Sequence, residues 1–251
     1  VSHGIDVLGS RQGSWLLRRA RIPHRFGVRG YAGGDGWCEG CVAFREDRRV
    51  SETALAFLPL LGTERDVEAR PRLFLTDSEK TTAEEHWGER ERDELRIVIA
   101  PGAGFPEKCW GDDNFTELIL LLLEHTPHRF ALIGSQEDDN RVSLPDGPNS
   151  RILKLCGATS LRESAALVSR ADFVITNTTV TMHFAGAFRI PSLTLLGPWH
   201  ESANLHARQW GYPEGTVLGR EVSEGRSSIL SPKAAFEAFR KQIVRRNETL
   251  R

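Results

Sequence analysis

From Leu95 to the C-terminus, short β-rich runs alternate with helical patterns, and this alternation constrains the fold more than any other feature of the chain. Arg96–Ala100 reads as a strand entering a turn at Pro101-Gly102. Asp113–His125 reads as a helix, and its apolar run Leu118–Leu123 implies deep burial. Phe130–Ile133 and Arg151–Leu155 read as strands stopped by Gly134 and Gly157. The spacing Ser160-Leu-Arg-Glu163 is a capping box, and it opens a helix reaching Ser169. A strand at Asp172–Thr176, a helix at Thr181–Ala187, a strand at Ser192–Leu196 and a last helix from Pro232 to Asn247 complete the pattern. Strands separated by single helices cannot form hairpins, so the expectation is an α/β fold with a parallel sheet covered on both faces. Ligands of such sheets bind beyond the carboxyl ends of the strands. The loops after Ala100, Ile133, Leu155, Thr176 and Leu196 are therefore the ones that carry chemistry.

Residues 1–92 lack this regularity. They offer a short strand at Ile5–Leu8, a helix at Ser14–Ala20, a glycine-rich stretch from Gly30 to Gly40 and a helix around Ser51–Leu61. Thr76–Asp93 is highly charged and reads as a linker or a solvated helix. The expected division is a partial domain and linker over 1–92 and a complete domain over 93–251. The balance of 33 basic and 34 acidic residues leaves no excess of positive charge to neutralise a phosphate backbone, so nucleic acid is not an expected partner. Leu118–Leu123 is flanked by Glu117 and Glu124 and falls far short of the roughly 20 residues that span a bilayer. The first residues show no cationic start followed by an apolar stretch, and the expected compartment is the cytoplasm. Cys38 and Cys41 form a lone C-x-x-C without the second pair that a structural zinc requires. They read as incidental thiols or, as the alternative, a metal or redox site; no metal or cofactor is expected. The arginines at 18, 19, 21, 245 and 246 read as solvated faces, with a peripheral contact to anionic inner-membrane lipid as the alternative.

The loop after Ala100 reads Pro101-Gly-Ala-Gly-Phe-Pro-Glu-Lys108. Its glycines allow close backbone approach to an anion, and Lys108 is either a phosphate-binding point charge or a surface lysine. After Ile133, Glu137 is either a ribose acceptor or a solvated acid. The run Thr176-Asn-Thr-Thr-Val-Thr-Met-His183 opens a helix with several hydroxyls and amides. It is either an anion cradle with His183 as a donor, or an N-cap at Thr178 or Thr179 followed by a core histidine. Gly197-Pro-Trp-His-Glu-Ser after Leu196 suggests an aromatic and polar rim. His125-Thr-Pro-His128 has a ligand-like spacing, but Pro127 ends the helix and the segment reads as a turn. The sequence contains no P-loop, G-x-S-x-G or H-E-x-x-H pattern.

In their order and spacing these loops resemble glycosyltransferase family 9, the heptosyltransferases. Ile97–Gly104 with Lys108-Cys-Trp110 and Phe115 is similar to that family's strand, P-G-A and K-x-W run. Leu132-Ile-Gly134 with Glu137 resembles its G-x-x-x-E-like turn, and Leu155–Leu161 its L-x-G-x-x-S-L element. Thr176–Ala187, Ile190-Pro191 and Leu195–Pro198 resemble its N-D-S/T-G-P-x-H element and the P…G-P that follows. The likeness covers roughly 95–245 and, more weakly, Ile5-Asp6 and Ser14–Gly27. It implies a GT-B fold, two Rossmann-like domains of which the C-terminal one is complete and the N-terminal one partial. It implies metal-independent, inverting transfer of a heptose-like sugar from a donor such as ADP-heptose to a lipopolysaccharide-type or other lipid-linked glycan. By the same resemblance Gly104, Lys108, Thr178, Thr179 and His183 would face the diphosphate, Glu137 would hold the ribose, and the loop at Thr159 would line the base. Two departures stand out. Thr178 occupies the position of the family's acidic residue, and Val180 and Thr181 replace its glycine and proline. The family's first glycine-rich turn, with its candidate general base, is expected upstream of Val1, so the catalytic residue is unassigned, with Asp6 and Asp35 as the nearest carboxylates. A non-catalytic relative that binds a nucleotide is the second reading, and another nucleotide-sugar enzyme on this architecture, such as an epimerase, is the third.

Overall fold

The protein is described by a computed structural model covering residues 1–63, 66–144, 150–221 and 229–249. It divides into two compact units, one of Val1–Arg70 with Arg208–Trp210, the other of Pro71–Ala207 with Gly211–Arg251.

The first unit carries a parallel three-stranded sheet in the order β1-β2-β3, formed by β1 (His3–Ile5), β2 (His24–Arg29) and β3 (Gly40–Ala43). Helix α1 (Arg11–Arg19) connects the first two strands, and α2 (Val50–Leu55) follows the third. The expected strand at Ile5–Leu8 ends early because Asp6 turns the chain. Its carboxylate accepts from Leu8 N at 3.1 Å and from the Ser14 hydroxyl at 3.0 Å. Ser10 caps α1 by accepting from Gly13 N at 2.9 Å. The expected helix over 51–61 is split, since Pro59 opens a separate 3-10 turn at Pro59–Leu61. Phe26, Val28, Val42 and Phe57 form a small core.

In the second unit α3 (Asp77–Trp87) precedes six parallel strands. These are β4 (Arg96–Ala100), β5 (Arg129–Leu132), β6 (Ile152–Lys154), β7 (Phe173–Thr176), β8 (Ser192–Leu195) and β9 (Gly215–Leu218). The intervening helices are α4 (Asp112–His125), α5 (Leu161–Ser169), α6 (Val180–Phe188) and α7 (Ala203–Trp210, whose last three residues belong to the first unit), and α8 (Pro232–Thr249) closes the series. The spatial order is β6-β5-β4-β7-β8-β9, every pairing being parallel. Two halves therefore wind outward in opposite directions from the β4–β7 pair, the doubly wound arrangement of nucleotide-binding sheets. Side chains of β4 alternate between faces. Ile97 and Ile99 pack with Phe115, Leu118 and Leu122 of α4 and Phe239 of α8. Val98 and Ala100 pack with Trp87 of α3, Leu167 of α5 and Ala185 of α6.

Of the two readings of Thr76–Asp93, a linker or a solvated helix, the helix is the one that forms, over Asp77–Trp87, but it is packed on Ala83 and Trp87 rather than solvated, and Pro71–Arg92 fall in the second unit. Thr76 and Glu79 form a reciprocal capping box that starts the helix. Trp87 at its end is wholly buried and donates its indole N–H to Leu167 O at 3.2 Å. Asp77, Glu84 and Glu85 of α3 are exposed, Glu79 pairs with Arg162 and Glu84 with Arg96, and one aromatic anchors the helix. Replacing that anchor, Trp87→Ala, should remove about 3–5 kcal/mol of unfolding free energy. Urea denaturation followed by circular dichroism measures it; a loss below about 1 kcal/mol would contradict this role for Trp87.

Candidate functional site

The sheet reverses its winding between β4 and β7, so the two loops leaving their carboxyl ends diverge and open a crevice. Asn177, fully buried, bridges that divergence. Its backbone N–H donates to Ala100 O at 3.3 Å, which extends the β4–β7 ladder. Its side-chain amide donates to Pro101 O and, at 3.3 Å, to Gly102 O. Its side-chain oxygen accepts from Trp110 N at 2.9 Å. One amide thus fixes both ends of the turn that carries Gly104 and Lys108. The loop after β8 lies against the same turn: Gly197 N donates to Lys108 O at 3.2 Å, and a Cβ at Gly197 would meet Cys109 O at 2.2 Å.

On one side of Asn177 lies a cleft of about 410 Å³, bordered by Gly102, Gly104, Ser135, Asp138, Thr159 and Thr179. It joins the ends of β4 and β5, the turn after β6 and the start of α6. Gly104 has open space where a side chain would stand. Thr179 occupies the N-cap position of α6, but its side chain makes no capping bond, so the N–H groups of the first turn are unpartnered by it. Val180 begins that helix without the positive φ that a glycine would permit, so the branched side chain is accommodated without strain. The capping alternative for Thr178 is likewise not the one adopted.

Glu137, the sequence-expected ribose acceptor, is exposed on the 3-10 segment after β5 and does not border the cleft. The acid that does is its neighbour Asp138. Asp138 accepts from Ser135 N and Oγ, both at 2.8 Å, and from Arg141 Nε at 2.7 Å. A Cβ at Gly102 would lie 2.3 Å from this carboxylate, so the glycine is what allows the two segments to meet. The signal for Asp138 was present in the capping-box spacing Ser135-x-x-Asp138.

Lys108, Thr178 and His183 form a second cluster beside the cleft rather than its wall. Lys108 Nζ sits over the Phe105 ring, 4.5 Å from its centroid. Thr178 Oγ1 and His206 Nε2 are hydrogen-bonded at 3.0 Å. His183 Nδ1 pairs with Tyr212 Oη at 2.8 Å, which makes it neither a plain core residue nor a bare donor. His206 from α7 and His200 from the loop after β8 complete the cluster with ring centroids 4.7 Å apart; the sequence offered His200 only as part of an aromatic and polar rim and did not single out His206. Burial pushes both imidazoles down to about 4, with Lys108 adding to the effect. Burial lowers His183 in the same direction. All three rings are thus biased toward their neutral form.

The thiols of the C-x-x-C lie elsewhere, Cys38 Sγ 3.5 Å from Ser14 Oγ and Cys41 Sγ 4.0 Å from Asp35 O. Among the described residues no group of three or more His, Cys, Asp or Glu is placed to hold a metal ion. A larger groove of about 530 Å³ runs between α4 and α8 past Leu121, His125 and Phe236, and none of its lining residues belongs to the loops at the carboxyl ends of the strands.

A family model described as glycosyltransferase family 9 (heptosyltransferase) matches residues 3–207. Lipopolysaccharide heptosyltransferase 2 of Salmonella typhimurium is 28% identical over 200 residues, 71% of this chain and 55% of that protein. Lipooligosaccharide heptosyltransferase 2 of Haemophilus influenzae is 32% identical over 108 residues, 41% of this chain and 31% of that protein. The chain thus spans about half the length, or less, of these curated relatives. The solved ADP-heptose lps heptosyltransferase II of E. coli superposes with a TM-score of 0.68 at 21% identity, over 98% of this chain and 76% of that one. That likeness shows the fold, an α/β GT-B architecture with parallel sheets.

The geometry separates two glycines of one turn. Gly102→Ala should unfold at lower temperature, because its Cβ would collide with the Asp138 carboxylate, whereas Gly104→Ala should melt within about 2 °C of the parent. Asn177→Ala leaves the Trp110 N–H and the carbonyls of Pro101 and Gly102 without this partner and should cost a few kcal/mol, about 1–3 for each group orphaned. Thermal denaturation of the three variants reads the order, and a Gly102→Ala protein as stable as Gly104→Ala would refute the packing described.

Proposed function

The chain belongs to glycosyltransferase family 9, and on that premise we propose that it binds a nucleoside-diphosphate sugar at the β4–β7 crevice and transfers a heptose-like sugar to a lipid-linked glycan. The observation that carries this reading is the meeting of the Gly102–Gly104 turn and the Thr179 end of α6 on one cleft at the switch point. A helix N-terminus and a glycine-lined turn direct amide dipoles into the space where a diphosphate would sit. Lys108 adds a cation next to the same turn. As the bond from the anomeric carbon to the diphosphate oxygen breaks, its electron pair moves onto the leaving group. Fixed amides and the Lys108 ammonium stabilise that growing charge, and no metal is needed in this account. An acceptor hydroxyl attacking from the opposite face gives inversion, and its proton passes to a general base.

Thr159 borders the same cleft on the side where the nucleoside is placed in this reading, and Asp138 takes the ribose role first assigned to Glu137. A carboxylate with three bonds made retains acceptor capacity for a further hydroxyl. Residues of the first unit are assigned to the acceptor side. Asp6 does not suit the base, since Leu8 N, Ser10 and Ser14 already donate to it. No helix among the described residues is long and apolar enough to cross a membrane. The work is assigned to the cytoplasmic side, with the exposed Arg18 and Arg19 at the end of α1 as the surface for anionic lipid.

A second reading, nucleotide binding without transfer, is favoured by Thr178. It stands where the family resemblance calls for an acid, and its hydroxyl is taken by His206. The two readings share the diphosphate site and part at catalysis. Calorimetry with ADP and with UDP tests the shared claim; heat from neither nucleotide would overturn it. Lys108→Ala should weaken binding by roughly tenfold to a hundredfold, the loss of about 1.5–3 kcal/mol from a charged hydrogen bond. An unchanged Kd would remove Lys108 from the site. Sugar transfer from ADP-heptose to a lipopolysaccharide-core acceptor distinguishes the two readings.

A further inference from the structure

Two histidines that the proposed transfer does not use lie beside Lys108. His206 is only 8% exposed, and His200 stands next to it with its Nε2 buried and unpartnered in the structure. A buried nitrogen without a partner costs stability in the empty protein, a cost that a bound ligand can offset. Charged and titratable groups surround the pair on several elements. The turn after β4 supplies Lys108 and Glu107, α6 supplies His183, and the loop itself supplies Glu201. Arg220 and Glu221 follow β9. Glu221 accepts from Ser202 Oγ at 2.6 Å and from Asn204 N at 2.9 Å, which occupies it at the start of α7. Besides burial, Lys108 disfavours protonation of His200, and His200, Lys108 and His183 disfavour that of His206. Among the described residues no carboxylate favours a proton on this pair, so an anionic ligand is the group that would supply the missing charge.

We propose that His200 and His206 form, with Lys108, a proton-linked phosphate subsite that takes up a proton when the terminal phosphate of a nucleoside diphosphate binds. This rests on the diphosphate site proposed above and adds a regulatory property to it. With both rings held neutral at about 4, binding of an anion raises their affinity for protons toward the neutral range. Repulsion across 4.7 Å limits the pair to one proton. In a sugar nucleotide the second phosphate is a diester with a single charge, whereas the released diphosphate ends in a dianion. Uptake is therefore larger for product than for donor, and acidification tightens the grip on product. Binding a proton together with the ligand makes affinity rise as pH falls and fade as pH rises.

Calorimetry of the full chain with ADP and with ADP-glucose, at pH 6 in three buffers of different ionisation enthalpy, measures the uptake directly. ADP should carry roughly 0.5–1 proton more than its own phosphate titration accounts for, and ADP-glucose clearly less. Between pH 8 and pH 6 the ADP Kd should tighten by up to about tenfold per unit. His200→Gln and His206→Gln should each reduce the excess. The wild-type measurement stands even where a variant fails to fold. ADP binding with no excess uptake, or an excess that survives in both variants, overturns the histidine subsite and leaves the diphosphate site standing. Failure of both ADP and UDP to bind overturns the diphosphate site and this inference together.

Discussion

The amide of Asn177 is the interaction on which the second unit's strand-end architecture depends. A doubly wound sheet has one place where neighbouring strands send their chains to opposite sides, and backbone groups are left there without ladder partners. In this protein the exposed ends are the carbonyls of Pro101 and Gly102 and the N–H of Trp110. A primary amide is the side chain that offers both donors and an acceptor in one rigid plane. Aspartate could not donate, and leucine could satisfy neither end. With that bridge made, the turn carrying Gly104 and Lys108 is held from beneath by β7 and from the side by Gly197. The crevice can then stay open without its walls collapsing into it.

What could be read from the amino-acid order follows from how locally each feature is determined. The strands β4, β5, β7 and β8 and the helices α4 and α5 were legible because both faces of the sheet are covered, which makes the strands continuous apolar runs. That α3 packs rather than lying in solvent was hidden because only Ala83 and Trp87 are buried in it, too sparse a pattern to outweigh its charges. Strands β2 and β3 and the edge strand β9 escaped notice for related reasons. His24, Arg25 and Arg29 break the apolar run of β2, and β9 is a short, half-buried Gly-Thr-Val-Leu segment. The strand-end loops were found by the general rule for parallel sheets. Which acid among Glu137, Asp138 and Asp139 turns inward was not accessible to that rule, since it depends on Ser135 closing a capping box and on Gly102 and Gly134 leaving room. His206 was out of reach altogether: it joins Thr178 from 28 positions further along the chain.

The site is polarised along its length. At the cleft end stand a carboxylate and hydroxyls, groups suited to the hydroxyls of a sugar, with the glycine turn bordering the same cleft. At the other end stand Lys108 and three histidines held neutral by burial. A ligand with a ribose at one end and phosphates at the other would match that order without turning over. Arg141 tempers the carboxylate by donating to Asp138 and to Asp112, so the acid end does not repel an approaching phosphate at full strength.

Neutral histidines are also the less costly way to prepare for a dianion. A permanently charged cluster of three cations, packed within a few ångströms and shielded from water, would pay Coulomb repulsion and desolvation throughout the time the site stands empty. One ammonium beside neutral imidazoles avoids most of that cost and defers the second positive charge until an anion is present to hold it. The same logic accounts for Thr178 beside His206. A carboxylate in that position would draw a proton onto the imidazole in the empty protein and fix the charge in advance, whereas a hydroxyl serves as hydrogen-bond partner to either protonation state of the ring.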